Sequence, residues 1–128
     1  MPGAPIPDDI RRFVLTSVPS VPFVEALLLF RASPQTIDTA HVAQRLYISE
    51  QAARHVVEQL RDARIVRAAG PHGEKHLYAP RDAELATLLD RVATLYGTHL
   101  IEMTKLIHSR TERAAQQFAD AFRLRKDS

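Results

Sequence analysis

Apolar residues recur at helical spacing through most of this chain. Between residues 49 and 64, Ala53, Val56, Val57 and Leu60 make one inward face, while Glu50, Gln51, Arg54, His55, Glu58 and Arg61 point the other way. A shorter run, residues 38–48, precedes it and is joined to it by a tight turn. Asp38 and Ser49 stand just ahead of the two runs, where a side-chain oxygen can accept from backbone N–H groups that have no partner inside the helix.

Upstream, Ile10, Phe13 and Val14 share one side of a short helix that Asp8 can cap and that runs to about Ser17. Pro19 and Pro22 then punctuate the chain, and Pro22 suits the first turn of the next helix, residues 21–32. That helix is apolar nearly all round, with Phe23, Val24, Ala26, Leu27, Leu28, Leu29 and Phe30, so it is expected to be buried on several sides. Ser33 and Pro34 end it, and Gln35, Thr36 and Ile37 read as a short extended connector. Downstream, residues 65–69 and 76–79 are β-like runs bracketing the loop Gly70-Pro71-His72-Gly73-Glu74-Lys75, the pattern of a β-hairpin.

The last third is the most regular. Leu85, Leu89, Val92, Tyr96, Leu100, Met103 and Ile107 advance by steps of three and four, close to the α-helical period. Ala114, Ala115, Phe118, Ala119 and Phe122 continue a narrower stripe after a polar patch at 109–113. One long helix is therefore predicted for 81–128. Its stripe is longer than a domain at 8–80 can cover, so pairing with a second copy is the simplest solution and makes the seven stripe residues the expected dimer contact. Gly97 marks either a weak point in this helix or a close helix–helix approach. The fold class predicted is mainly α with a small β-hairpin. Residues 1–7, with three Pro and a Gly, are expected to form a flexible arm.

Composition narrows the setting. The 128 residues suit one domain, and only 6 % are aromatic, so the core is expected to be built of Leu, Val, Ile and Ala. Without cysteine, disulfides and thiolate metal sites are excluded and a reducing cytoplasm is the expected compartment. The longest apolar run, 21–30, is about half of what crosses a bilayer and carries Glu25, and no secretory signal pattern opens the chain, so no membrane partner is expected. Net charge is only +2, but residues 44–81 hold seven Lys/Arg against four acids. The basic excess thus falls on the helix pair and the hairpin, a modest electrostatic footprint for a polyanion.

Residues 24–80 resemble the winged-helix transcriptional regulators of bacteria, in the general manner of the MarR and ArsR groups. Those families often carry Leu-Ala-x-x-Leu-x-Ile-Ser and then a recognition helix closing on Leu-x-x-Ala-Gly-Leu-Val. Val42-Ala43-Gln44-Arg45-Leu46-Tyr47-Ile48-Ser49 and Leu60-Arg61-Asp62-Ala63-Arg64-Ile65-Val66 match without a gap, and Tyr78 falls where the wing lies. The departures are Tyr47, where the turn often has Gly, and Arg64, where Gly usually ends the recognition helix; both backbones must do without the residue for which positive φ is easiest.

The resemblance implies double-stranded DNA as partner, a homodimer, and sequence-specific or semi-specific binding by a transcriptional regulator. The second helix would enter the major groove N-terminus first, with Gln51, Arg54 and His55 nearest the bases. Thr39, Ser49 and the helix-start N–H groups would hold phosphates, and Arg67, His72, Lys75 and His76 would meet backbone or minor groove. Glu50, Ala52 and Ala53 leave few reading side chains. The alternative is a winged-helix module that binds protein and no DNA.

No metal or cofactor is expected: His72 with His76, and His99 with Glu102, are half-sites without a third ligand. No Ser-His-Asp order, phosphate-cradling Gly loop or paired carboxylates stand out, so nothing carries an enzymatic reading. A ligand-responsive regulator is a third option, but no residue names an effector. The basic end, Arg123, Arg125 and Lys126, is explained most simply by the preference of helix C-termini for cations.

Overall fold

Six helices and three short strands follow one another in a computed structural model that describes residues 6–127, with side chains described through Arg110 and at residues 113, 116, 117 and 119–121 beyond it. The order is α1 (Asp8–Ser17), α2 (Val21–Ala32), β1 (Ile37–Asp38), α3 (Thr39–Leu46), α4 (Glu50–Asp62), β2 (Val66–Ala69), β3 (Lys75–Tyr78), α5 (Ala83–Thr98) and α6 (Leu100–Asp127). The protein is mainly helical with one small antiparallel sheet. No single helix among the described residues is long and apolar enough to cross a membrane.

The chain divides into two compact units, one spanning Pro22–Thr94 and the other joining Met1–Val21 to Leu95–Ser128. In the first, α2 buries Phe23, Val24, Ala26, Leu27 and Phe30, with Leu28 and Leu29 half-buried, as its nearly continuous apolar surface demands. Val42 and Ala43 of α3, then Ala53, Val56, Val57 and Leu60 of α4, are buried as their spacing predicted. Ile37, Ile65 and Val66 are buried beside the helices, and Leu85, Leu89 and Val92 of α5 add to the buried set. Arg31 of α2 and Asp90 of α5 pair at 2.9 Å on the surface, too exposed to hold much energy. In the second unit α1 packs on α6, and Ile10, Val14, Met103 and Ile107 are all fully buried.

The sheet has the order β1-β3-β2. The hairpin lies within a residue of its predicted bounds and pairs Val66 with Tyr78 and Ala69 with Lys75. Gly70 and Gly73 both take positive φ in its loop, the backbone such a reversal requires. The connector supplies a third strand that the sequence pattern did not show: Ile37 pairs with His76 and Asp38 with Lys75. Two residues are too few to display a period-2 alternation, so β1 is visible only through its partner.

Two expectations for the ends of the chain are corrected. α1 begins at Asp8 behind Pro7, which makes no side-chain cap, and Asp9 replaces Asp8 in that role, its Oδ1 accepting the Ile10 N–H at 2.9 Å. The single helix predicted for 81–128 is two, broken at His99. An added Cβ at Gly97 would meet nothing within 4 Å, so no close approach within the chain requires this glycine. Backbone bonds persist on both sides, from His99 N–H to Leu95 O at 2.6 Å and from Met103 N–H to His99 O at 2.9 Å. The arm is described only from Ile6 on; the side chains of Ala114, Ala115, Phe118 and Phe122, and those of the basic end, lie outside the described residues.

Candidate nucleic-acid interface

The helix pair is built as its termini dictate. Asp38 Oδ1 accepts the His41 N–H at 2.7 Å and Ser49 Oγ accepts the Ala52 N–H at 3.0 Å, so both helices are capped by the residues their patterns nominated. Each helix also ends in a left-handed residue. Tyr47 (φ 57°, ψ 43°) closes α3, with its own N–H and that of Ile48 both directed to Ala43 O. Arg64 (φ 60°) closes α4, donating to Arg61 O while Ile65 N–H returns to Leu60 O. Such bonds satisfy the last carbonyls of a helix and turn the chain sharply, and the buried Leu60 and Ile65 flank the second turn. Tyr47 and Arg64 are the two positions where glycine is the usual occupant, and among the described residues they are the two non-glycine residues at positive φ.

With Ala53, Val56, Val57 and Leu60 buried, the opposite row of α4 is Gln51, His55, Glu58 and Asp62, all exposed, and Arg54 and Arg61 lie to one side of it. That side borders a cleft of about 480 Å³, walled by Asp38, Thr39 and Ala40 at the start of α3, by Glu50, Arg54, Glu58 and Arg61 of α4, and by His72, Gly73, Glu74 and His76 of the hairpin. Thr39, Arg54, His72 and His76 are therefore brought to one place. Gln51 and His55 lie on the outer face of α4 instead, and Arg67 is exposed on β2. Lys75 borders a neighbouring cleft of about 540 Å³ with His41, Arg45 and the connector residues Ser33, Pro34, Gln35 and Thr36.

His76 is not the surface contact the sequence led us to expect. It is 5 % exposed, on the central strand β3 and directly opposite Ile37 of β1 and Ala68 of β2. Burial, reinforced by the nearby Arg61 guanidinium, holds its pKa below the ordinary histidine value of 6.5. The imidazole is neutral at pH 7 and adds no charge to the face. Tyr78 is drawn inward too: burial and the Asp90 carboxylate raise its phenol pKa, with Arg31 opposing.

The dimer stripe is corrected in the same way. Leu85, Leu89, Val92, Met103 and Ile107 are at most 8 % exposed within the single chain, which leaves Leu100 exposed and Tyr96 half-buried. Ile101, which the stripe omitted, is 65 % exposed. Sequence reasoning also passed over Arg61, His41 and Arg45 as site residues. The four-residue step from His41 to Arg45 on α3 was the available signal, since it sets both on one side of a helix.

Electrostatically the face is mixed. Asp38, Glu50, Glu58 and Glu74 stand around the same cleft as Arg54 and Arg61. The unit Pro22–Thr94 holds nine Lys/Arg and nine Asp/Glu. Among the described residues no cluster of three or more metal-ligating side chains occurs. No protein-family model, curated protein or solved structure matches the chain.

Proposed function

We propose that residues 22–94 form a winged helix that binds double-stranded DNA, with α4 in the major groove and the β2–β3 loop on the backbone or minor groove, and that the protein acts as a dimeric transcriptional regulator. The observation that carries this reading is the order helix, strand, capped helix pair, hairpin, in which β1 closes onto β3 and α4 keeps its polar face outward. A helix pair so arranged presents the second helix by its N-terminal end, where Gln51 and Arg54 reach base edges. Gln suits adenine and Arg suits guanine in two-bond contacts, each giving roughly 1–3 kcal/mol of discrimination. Thr39, Ser49 and the N–H groups at the helix starts supply phosphate contacts, and Arg67, His72 and Lys75 supply those of the hairpin. A dimer with its recognition helices about 34 Å apart fits successive major grooves. Among the described residues, Leu100 and Ile101 of α6 are large apolar side chains open for that contact.

Binding to random and selected duplexes tests the reading. Arg54→Ala should weaken affinity about tenfold without lowering the melting temperature, and Lys75→Ala should reduce the salt slope by about one. Affinity for duplex no greater than that of a neutral control protein at low salt overturns it. A second reading, a winged-helix module that docks a protein, is favoured by the carboxylates around the cleft and by the even charge balance of the unit. Loss of DNA binding combined with a specific protein partner would establish it.

A further inference from the structure

Tyr47 is 95 % exposed, and among the described residues of Pro22–Thr94 it is the one large hydrophobic side chain left open to solvent. The same residue sits in the left-handed region, which crowds the Cβ of every L-residue against the next carbonyl. Packing does not explain its identity, because the ring is almost wholly in water. Backbone geometry argues against it, because glycine takes this conformation without a clash. Water around an exposed ring and strain beneath it both disfavour tyrosine at this position, and strain of this kind gathers where a side chain meets a ligand.

Its location says which ligand group lies within reach. Tyr47 stands between the last turn of α3 and Ser49, the cap of α4, so it lies in the turn that leads into the N-terminal end of α4. If α4 enters the groove by that end, the turn lies over the groove's edge, where the sugar–phosphate backbone runs. A phenol carries an apolar ring to lie on deoxyribose and a hydroxyl to donate to a phosphate oxygen. We infer that Tyr47 is a DNA-backbone contact, its hydroxyl donating to a phosphate beside the entry point of α4. The inference rests on the DNA-binding reading and adds a neutral contact that the basic residues do not supply.

Arg64 provides an internal control, being exposed and left-handed in the same way but at the opposite end of α4. Three variants, Tyr47→Phe, Tyr47→Gly and Arg64→Gly, are compared with the unaltered full chain for melting temperature and for duplex affinity at several salt concentrations. Tyr47→Gly and Arg64→Gly should each melt about 2–4 °C higher as the strain is relieved. Tyr47→Gly should bind duplex about tenfold more weakly, and Tyr47→Phe should lose most of that affinity at an unchanged melting temperature. Both should keep the salt slope of the unaltered protein, because a phenol releases no counterion; Arg64→Gly should keep its affinity within about twofold. A Tyr47→Gly protein that is more stable and binds duplex as well as the original overturns this inference and leaves the DNA-binding reading standing. Binding lost equally in Tyr47→Gly and Arg64→Gly also overturns it, since the loss would then follow from the altered turns. Absence of duplex binding by the unaltered chain overturns both.

Discussion

At the scale of single residues, the two left-handed positions and the buried histidine are where the chain departs from what its pattern alone recommends. Arg64→Gly isolates the backbone cost, since the Arg64 side chain is exposed and its carbonyl bond from Arg81 N–H needs no side chain. Stability should rise by about 0.5–1 kcal/mol, the left-handed penalty less the extra chain entropy of glycine. His76 acts in the opposite sense. Its folded pKa lies below the unfolded value of 6.5, so the unfolded chain binds a proton more readily than the folded one. The contribution of neutral His76 to stability is complete above pH 6.5 and declines as the pH falls from there through the lowered folded value. Thermal unfolding followed from neutral pH down to about pH 5 should show this loss, and His76→Gln should flatten the slope over that window.

At the scale of elements, the helix termini decide more than helix propensity does. α3 has only eight residues, below the length at which a helix holds in water by itself, so its caps and its packing are what keep it formed. Ser49→Ala removes the acceptor for the Ala52 N–H and should cost about 1 kcal/mol by chemical denaturation, whereas Ser49→Asp should restore it. Both caps were legible in the sequence because a short polar oxygen directly ahead of an apolar-periodic run has a specific local job. Both left-handed turns were legible as positions, through the missing glycines, though not as conformations. The break at His99 was not legible as a break. Its hydrophobic spacing runs through without interruption, and only Gly97 signals that the backbone there is weak.

At the scale of the whole molecule, the chain divides into compact units inside α5, between Thr94 and Leu95. Five of the seven stripe residues are already buried by their own chain, so a dimer contact built from all seven is not available. The proposed dimer instead uses the exposed Leu100 and Ile101. Light scattering on the full chain should give twice the monomer mass, and Ile101→Asp should return it to one. A monomeric unaltered protein would remove the two-fold DNA arrangement and shift weight to the protein-docking reading. The charge balance acts at this scale as well. Nine cations against nine acids leave little long-range steering, so affinity for duplex would depend on short contacts, and its salt slope would count the phosphates those contacts neutralise.

By itself the sequence determined what depends on near neighbours along the chain. The extents of α1 to α4, their buried faces, two caps and the hairpin follow from spacings of a few residues, which local sterics and hydrogen bonding convert directly into structure. Tertiary structure alone decided what depends on residues far apart. Ile37 and His76 are distant along the chain, and their pairing makes β3 central; His76 itself, an expected DNA contact, is buried by what the fold brings over it. The same holds for the stripe of α5 and α6. Periodicity shows that a face is apolar, but not whether its own chain or a second copy covers it, because burial depends on what the fold brings to that face.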